Sequence, residues 1–121
     1  MDVRRLCWLG VRAHDYDGML RLLRDVMGLR VEFEEESTVE LSLPNDDRVQ
    51  LFAPGHRYHD ILGTEGTTLL PLFEVADAEA ARAELEEAGF ELLGPVERDE
   101  RWAWINFRAP DGNIYGLGSR L

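Results

Sequence analysis

Apolar and polar positions along the chain follow one plan twice. In "VRAHDYDGMLRLLRDVMGLRVEF", Met19, Leu22, Leu23, Val26 and Met27 recur at the spacing of a single helix face, between Asp15 and Gly28. Aspartate suits the start of a helix because its carboxylate accepts from unpaired N–H groups, and glycine suits the left-handed residue that ends one. In "FEVADAEAARAELEEAGFELLG", Ala78, Ala81, Leu85 and Ala88 make a thinner stripe between Asp77 and Gly89. Asp15 and Asp77 stand 62 positions apart, Gly28 and Gly89 61 apart. A short apolar run precedes each helix. Room for two strands follows each, at 29–35 and 38–43 in the first unit and at 90–96 and 101–108 in the second.

Each unit closes on a turn and a last strand, "LSLPNDDRVQLFAP" and "NFRAPDGNIYGLGS". In the second, Pro110-Asp111-Gly112-Asn113 has the residues of a tight turn. Gln50 lies six positions beyond Pro44, and Gly116 six beyond Pro110. Glycine inside a strand marks a bulge or a close approach. The pattern predicts strand, helix, strand, strand, strand in tandem. The boundaries are 1–52 for the first unit, 53–68 for a polar, Gly- and Pro-containing connection, and 69–121 for the second, within one structural domain.

Charge narrows the partners. Thirteen basic residues, all arginine, face 24 acidic ones, a net of −11. Nucleic acid and anionic membrane need a positive patch, so neither is an expected partner. No lysine means no Schiff-base chemistry on a side-chain amine. No stretch reaches the length of a membrane span, and the N-terminus lacks a signal-like apolar core. A single cysteine, Cys7, precludes an intrachain disulfide and fits a cytoplasmic protein.

The duplicated plan, with the terminal motif "FRAPDGNIYGL", resembles the vicinal oxygen chelate superfamily of glyoxalases, bleomycin-resistance proteins, fosfomycin-modifying enzymes and extradiol dioxygenases. The resemblance covers nearly the whole chain. It implies an α+β fold of two tandem βαβββ modules, with curved mixed sheets around a cavity and helices on the outer face. In metal-dependent members one ligand sits on the first strand of each module and one on each closing strand. Those positions here hold Trp8, Gln50, Leu70 and Gly116. Ion sites in this family use imidazole or carboxylate, so the resemblance implies no metal cofactor, and Gly116 is expected to leave open volume. The rival metal motif "HRYHD", with His56, His59 and Asp60, reads as a solvated loop, and His14 as a surface residue beside a helix cap.

Alternation then sorts side chains by face. Trp8 brings Gly10 and Arg12 with it. Gln50 brings Arg48 and Phe52, and Leu70 brings Leu72 and Glu74. On "RWAWINFR", Trp102, Trp104 and Asn106 separate from Ala103, Ile105 and Phe107. Trp8, Arg12, Gln50, Phe52, Leu70, Leu72, Trp102, Trp104, Asn106 and Gly116 are the candidate ligand-binding set. The tryptophans equally suit a core or a dimer contact. Cys7 and Tyr115 fall on the opposite face and read as core. Two metal-free functions compete, beside a third reading as a metal-dependent enzyme with its ligands at other positions. One is metal-independent sequestration of an apolar or aromatic small molecule, antibiotic resistance included. The other is a metal-free lyase or isomerase using Arg12, Gln50, Glu74 or Asn106, with Glu74 as a base of raised pKa. Either is expected to work as a homodimer.

Overall fold

The computed structural model describes residues 1–61, 69–109 and 113–121. It is α+β, and its chain divides into two compact units: Trp8–Leu69, and Met1–Cys7 together with Leu70–Leu121. The Pro110–Gly112 part of the expected turn and positions 62–68 of the connection lie outside the described residues. No described helix is long and apolar enough to cross a membrane.

The unit Trp8–Leu69 holds most of β1 (Arg5–Arg12), then α1 (Tyr16–Leu20), β2 (Arg30–Glu34), β3 (Thr38–Ser42), β4 (Arg48–Phe52) and α2 (Arg57–Ile61). Asp15 caps α1, its carboxylate accepting from Gly18 N at 3.0 Å. Beyond Leu20 the helix continues as a π-helical segment, Arg21–Val26. β2, β3 and β4 are antiparallel neighbours, and β4 runs parallel to β1. Leu20 and Leu23 pack on Val39, Leu41 and Leu51 from one sheet face.

The helical stripe differs from expectation. Leu20 and Leu23 are buried, whereas Leu22, Val26 and Met27 are exposed. The wider π turn, seen in the Met27 N to Leu22 O bond of 2.8 Å, carries the later residues off the inner face. Gly28 ends the helix at φ +76°. The "HRYHD" segment is likewise not a solvated loop: it forms α2, and His59 is buried.

The other unit contains β5 (Leu69–Glu74, from Leu70 on), α3 (Ala78–Glu87), β6 (Glu91–Leu92), β7 (Glu97–Arg98), β8 (Trp102–Arg108) and β9 (Ile114–Arg120). Asp77 caps α3 by accepting from Glu79 N and Ala80 N at 2.9 and 3.3 Å, and Gly89 ends it at φ +85°. β5 lies parallel to β9, which is antiparallel to β8. The expected strand 90–96 is broken into β6 and β7, which pair with different parts of β8. Gly94 at φ +100° and Pro95, which has no N–H to donate, interrupt it. Ala81 and Leu85 cover Val75, Ile105 and Leu117 on one sheet face. Cys7 is buried here, its Sγ 3.5 Å from Leu72 O, as the alternation predicted.

Candidate functional site

Each unit has a sheet face turned away from its helix. In the unit Trp8–Leu69, the register sets Trp8 beside Arg48, Gly10 beside Gln50 and Arg12 beside Phe52, with Thr38 and Glu40 next across β3. The alternation therefore placed Trp8, Arg12, Gln50 and Phe52 on a common face. Trp8 folds its ring over its own strand. A Cβ built on Gly10 would lie 2.5 Å from Trp8 Cη2 and 3.1 Å from Phe52 Cε2. Only a residue without a side chain admits the indole there. Trp8 Nε1 donates to Gln50 Oε1 at 3.3 Å. Gln50 Nε2 donates to Thr38 Oγ1 at 3.0 Å, and that hydroxyl donates to Leu51 O at 2.7 Å. Arg48 is held by Glu40 at 2.7 Å and Asp46 at 2.9 Å.

Phe52 is fully buried on this face. His56 and Tyr58 cover it, with ring centroids 4.8 and 5.5 Å away, so it supports the surface and is not itself open. Arg12 Nε donates to His59 O at 2.8 Å, and Arg12 Nη1 donates to His14 Nε2 at 3.1 Å. The His14 and His59 rings meet edge to face at 5.6 Å. His14 is exposed, as expected, but its neighbours were not foreseen. Sequence reasoning missed His59 because it took 53–68 as loop; the i, i+3 spacing of His56 and His59, one helical turn, was the available signal. A groove of about 360 Å³ in the same unit, lined by Met27, Leu29, Ser42 and Leu43 among others, includes none of the residues expected to bind ligand.

In the other unit, Leu72, Gly116 and Asn106 form one row across β5, β9 and β8, and Glu74, Gly118 and Trp104 the next. Trp102 and Arg120 form a third pair. Trp102, Trp104 and Asn106 thus share the face of Leu70 and Leu72, as alternation predicted. The volume beside Gly116 is not open, however. A Cβ there would run into the Leu72 side chain and come within 3.0 Å of Asn106 Oδ1. The leucine side chain lies across both glycines, Gly116 and Gly118, and fills the space expected for a ligand.

Glu74 also departs from expectation. Its carboxylate, on a side chain 10% exposed, accepts from Arg5 Nε at 3.0 Å and Arg120 Nε at 2.8 Å. Arg120 also lies 4.9 Å over the Trp102 ring. Burial is the strongest influence and favours the neutral acid, but the hydrogen bonds from Arg120 and Arg5 overcome it, and the pKa is lowered, not raised. A carboxylate so held is a poor proton acceptor.

The four metal positions of the fold do not fit an ion. Indole N–H only donates, leucine and glycine offer no donor atom, and Gln50 Oε1, a neutral oxygen that accepts from Trp8, is one donor where an ion needs several. Among the described residues, no group of three His, Cys, Asp or Glu converges.

In each unit a helix covers one sheet face and polar and aromatic side chains occupy the other, an arrangement of the α+β class. The chain belongs to the Glyoxalase/Bleomycin resistance protein/Dioxygenase superfamily, whose family model matches residues 5–115. Solved structures agree in fold. A superfamily member from Vibrio splendidus 12B01 aligns at TM-score 0.71 and 19% identity, over 95% of this chain and 97% of that one. Methylmalonyl-CoA epimerase from Mycobacterium tuberculosis aligns at TM-score 0.77 and 20% identity, over 98% and 89%. The Mn(II)-bound glyoxalase from Novosphingobium aromaticivorans gives 0.67 and 19%, over 98% of this chain but 38% of its own. No curated protein matches the chain.

Proposed function

We propose that the protein binds a flat apolar or aromatic small molecule without metal, on the β1–β4 face that carries Trp8, and that sequestration of a toxic compound such as an antibiotic is its role. The observation that carries this reading is the Trp8–Gln50 pair. It stands where catalytic relatives bring donors to an ion, and it presents a half-buried indole whose polar edge is already satisfied. Aromatic platforms of this kind with a few polar handles suit small-molecule recognition. The Trp102, Trp104 and Asn106 face of the other unit is a second candidate surface, supported by its shared alternation. The enzymatic alternative loses support where Glu74, its candidate base, is committed to two arginines.

The test is tryptophan fluorescence quenching against a panel of planar natural products, with and without EDTA. Stacked aromatic pairs add roughly 0.5–1.5 kcal/mol beyond the area they bury. Trp8→Ala is therefore expected to weaken a bound compound at least about tenfold, the equivalent of 1.4 kcal/mol. EDTA is expected to change nothing. Unchanged affinity in Trp8→Ala, or binding abolished by EDTA, would overturn the reading.

We take the acting species to be a two-fold homodimer in the cytoplasm. Val3 and Leu6, 50% and 49% exposed on the leading segment, support it, since apolar side chains in such a position gain from being covered. Sedimentation equilibrium at micromolar protein is expected to give twice 13.8 kDa, and a species of 13.8 kDa would refute the dimer.

A further inference from the structure

Among the half-buried arginines, one guanidinium stands apart. Nine of the arginines lie within 3.8 Å of a carboxylate. In a chain with 24 acidic residues that is the ordinary outcome. Arg12 is half-buried and reaches no carboxylate among the described residues; its partners are the His59 carbonyl and the His14 ring. Two of its five N–H donors are used by these bonds. A half-buried cation with spare donors and no counter-ion among the described residues marks a candidate anion site.

His59 supplies a second, independent sign. The residue is 5% exposed, and its Nε2 has no hydrogen-bond partner among the described residues. Buried polar atoms are nearly always paired, so an orphan at a cluster of basic groups points to a missing ligand. The Ala13 main chain favours the charged His59 ring, and Nε2 is a ring nitrogen left without a hydrogen-bond partner among the described residues. The charged or titratable groups around it are Arg12 and His14 from β1 and the turn after it, and Asp60 on α2, whose carboxylate is 3.9 Å from Nδ1 and largely exposed.

We propose that Arg12, His14 and the buried His59 ring form an oxyanion site that receives the carboxylate of a planar aromatic acid whose flat body lies on the Trp8 face. The class of ligand follows from the spacing. Gly10, across which the indole lies, is two residues from Arg12, roughly 7 Å along a strand. That is about the distance from the far part of an aromatic ring system to a carboxylate attached to it. Arg12 offers the fork that matches a carboxylate. Inorganic or organic phosphate shares this chemistry and is separated from it by the probes below. The proposal rests on the Trp8 binding reading for the ligand's body and stands on Arg12 and His59 for its charge.

A proton accompanies the anion. In the free protein burial, then Arg12, then His14 hold the His59 pKa below its ordinary value, so the ring is neutral. A bound anion offsets the Arg12 guanidinium, and protonated Nε2 gains a partner to which it can donate. His59 then has the higher pKa in the complex. Its contribution to binding is complete below the free-protein pKa and is lost as pH climbs through the pKa of the complex. Each unit of that rise is worth about tenfold in affinity.

The experiment compares 2-naphthoate with its neutral analogue 2-naphthamide, using inorganic phosphate as a third probe, on wild type, Arg12→Gln, His59→Gln and Trp8→Ala. Naphthoate is expected to bind at least about tenfold more tightly than the amide, the increment of a charge-assisted bidentate pair. Arg12→Gln and His59→Gln should cost naphthoate its advantage over the amide and weaken the amide far less; Trp8→Ala should weaken both. In wild type, the His59 imidazole followed by NMR should titrate at higher pH when naphthoate is bound, and naphthoate should bind more tightly at about pH 6 than at about pH 8. This last measurement needs no variant and holds if a variant fails to fold. Equal affinity for acid and amide, with Trp8→Ala still weakening both, would overturn the oxyanion site and leave the aromatic platform standing. If neither naphthyl probe binds, saturating phosphate decides: a His59 titration unmoved by it overturns the proposal, and a shift upward supports the site with phosphate as its oxyanion.

Discussion

Replacing Glu74 by alanine is expected to destabilise the protein by about 3 kcal/mol, the low end for breaking a buried ion pair, because both arginines keep some access to water. Arg5 and Arg120 side chains are 33% and 54% exposed, against 10% for Glu74. For a domain of this size that corresponds to a fall of roughly 10 °C in Tm. Removing both arginines instead, as Arg5→Met with Arg120→Met, strands the carboxylate and should cost at least as much. The pH dependence has a definite sign. Folding lowers the Glu74 pKa, so the stabilisation is complete above the ordinary glutamate value of 4.5 and is lost as pH falls through the folded-state value. Chemical denaturation of wild type and Glu74→Ala from neutral to acid pH should show two stability curves converging in acid. A constant gap, or a gap below about 0.5 kcal/mol at neutral pH, would remove Glu74 from its place as the anchor of that unit.

The ion pair also shows what a sequence discloses and what it withholds. Alternation placed Glu74 on the inner face correctly, because strand period is a local property. It could not supply Arg5 and Arg120, which stand 69 and 46 positions away and reverse the direction of the pKa shift. The same division runs through the fold. Asp15, Gly28, Asp77 and Gly89 gave the helix limits, since caps are set by residues next to them in the chain. The register of β1 against β4 and of β5 against β9 then followed the expected faces. The π turn at Arg21–Val26 was not legible, because an apolar stripe at helical spacing reads the same whether the helix widens or not.

Site residues divide along the same line. Gly116 was read as space, since a glycine declares the absence of its own side chain. Which neighbour fills that absence depends on Leu72, brought in by strand pairing. His59 was read as solvated because polar residues dominate its segment; burial comes from its packing against Arg12 and His14 after α2 forms. Trp8 stood out for occupying a ligand position, but its flat placement depends on Gly10, which no motif singled out.

Gly10→Val is therefore the most informative single change at the Trp8 face. Valine is a good strand residue, so the backbone has no objection to it. Its Cβ, however, would stand 2.5 Å from Trp8 Cη2, 2.9 Å from Cζ3 and 3.1 Å from Phe52 Cε2. The indole must lift from the strand, which stretches its bond to Gln50 and exposes the flank of Phe52. Overpacking of this kind costs about 1–3 kcal/mol. Any compound bound on the indole should lose at least about tenfold in affinity, because the platform has turned. The control is the same substitution in Trp8→Ala, where the two closest contacts are gone and only the 3.1 Å approach to Phe52 remains. Neighbouring residues in direct contact are expected to be non-additive by about 0.5–3 kcal/mol. Denaturation of the four proteins of this cycle should show valine destabilising the Trp8 background and costing little, or even stabilising, in the alanine background. An equal cost in both would mean that the indole does not lie across Gly10, and the binding surface built on it would fall with that result.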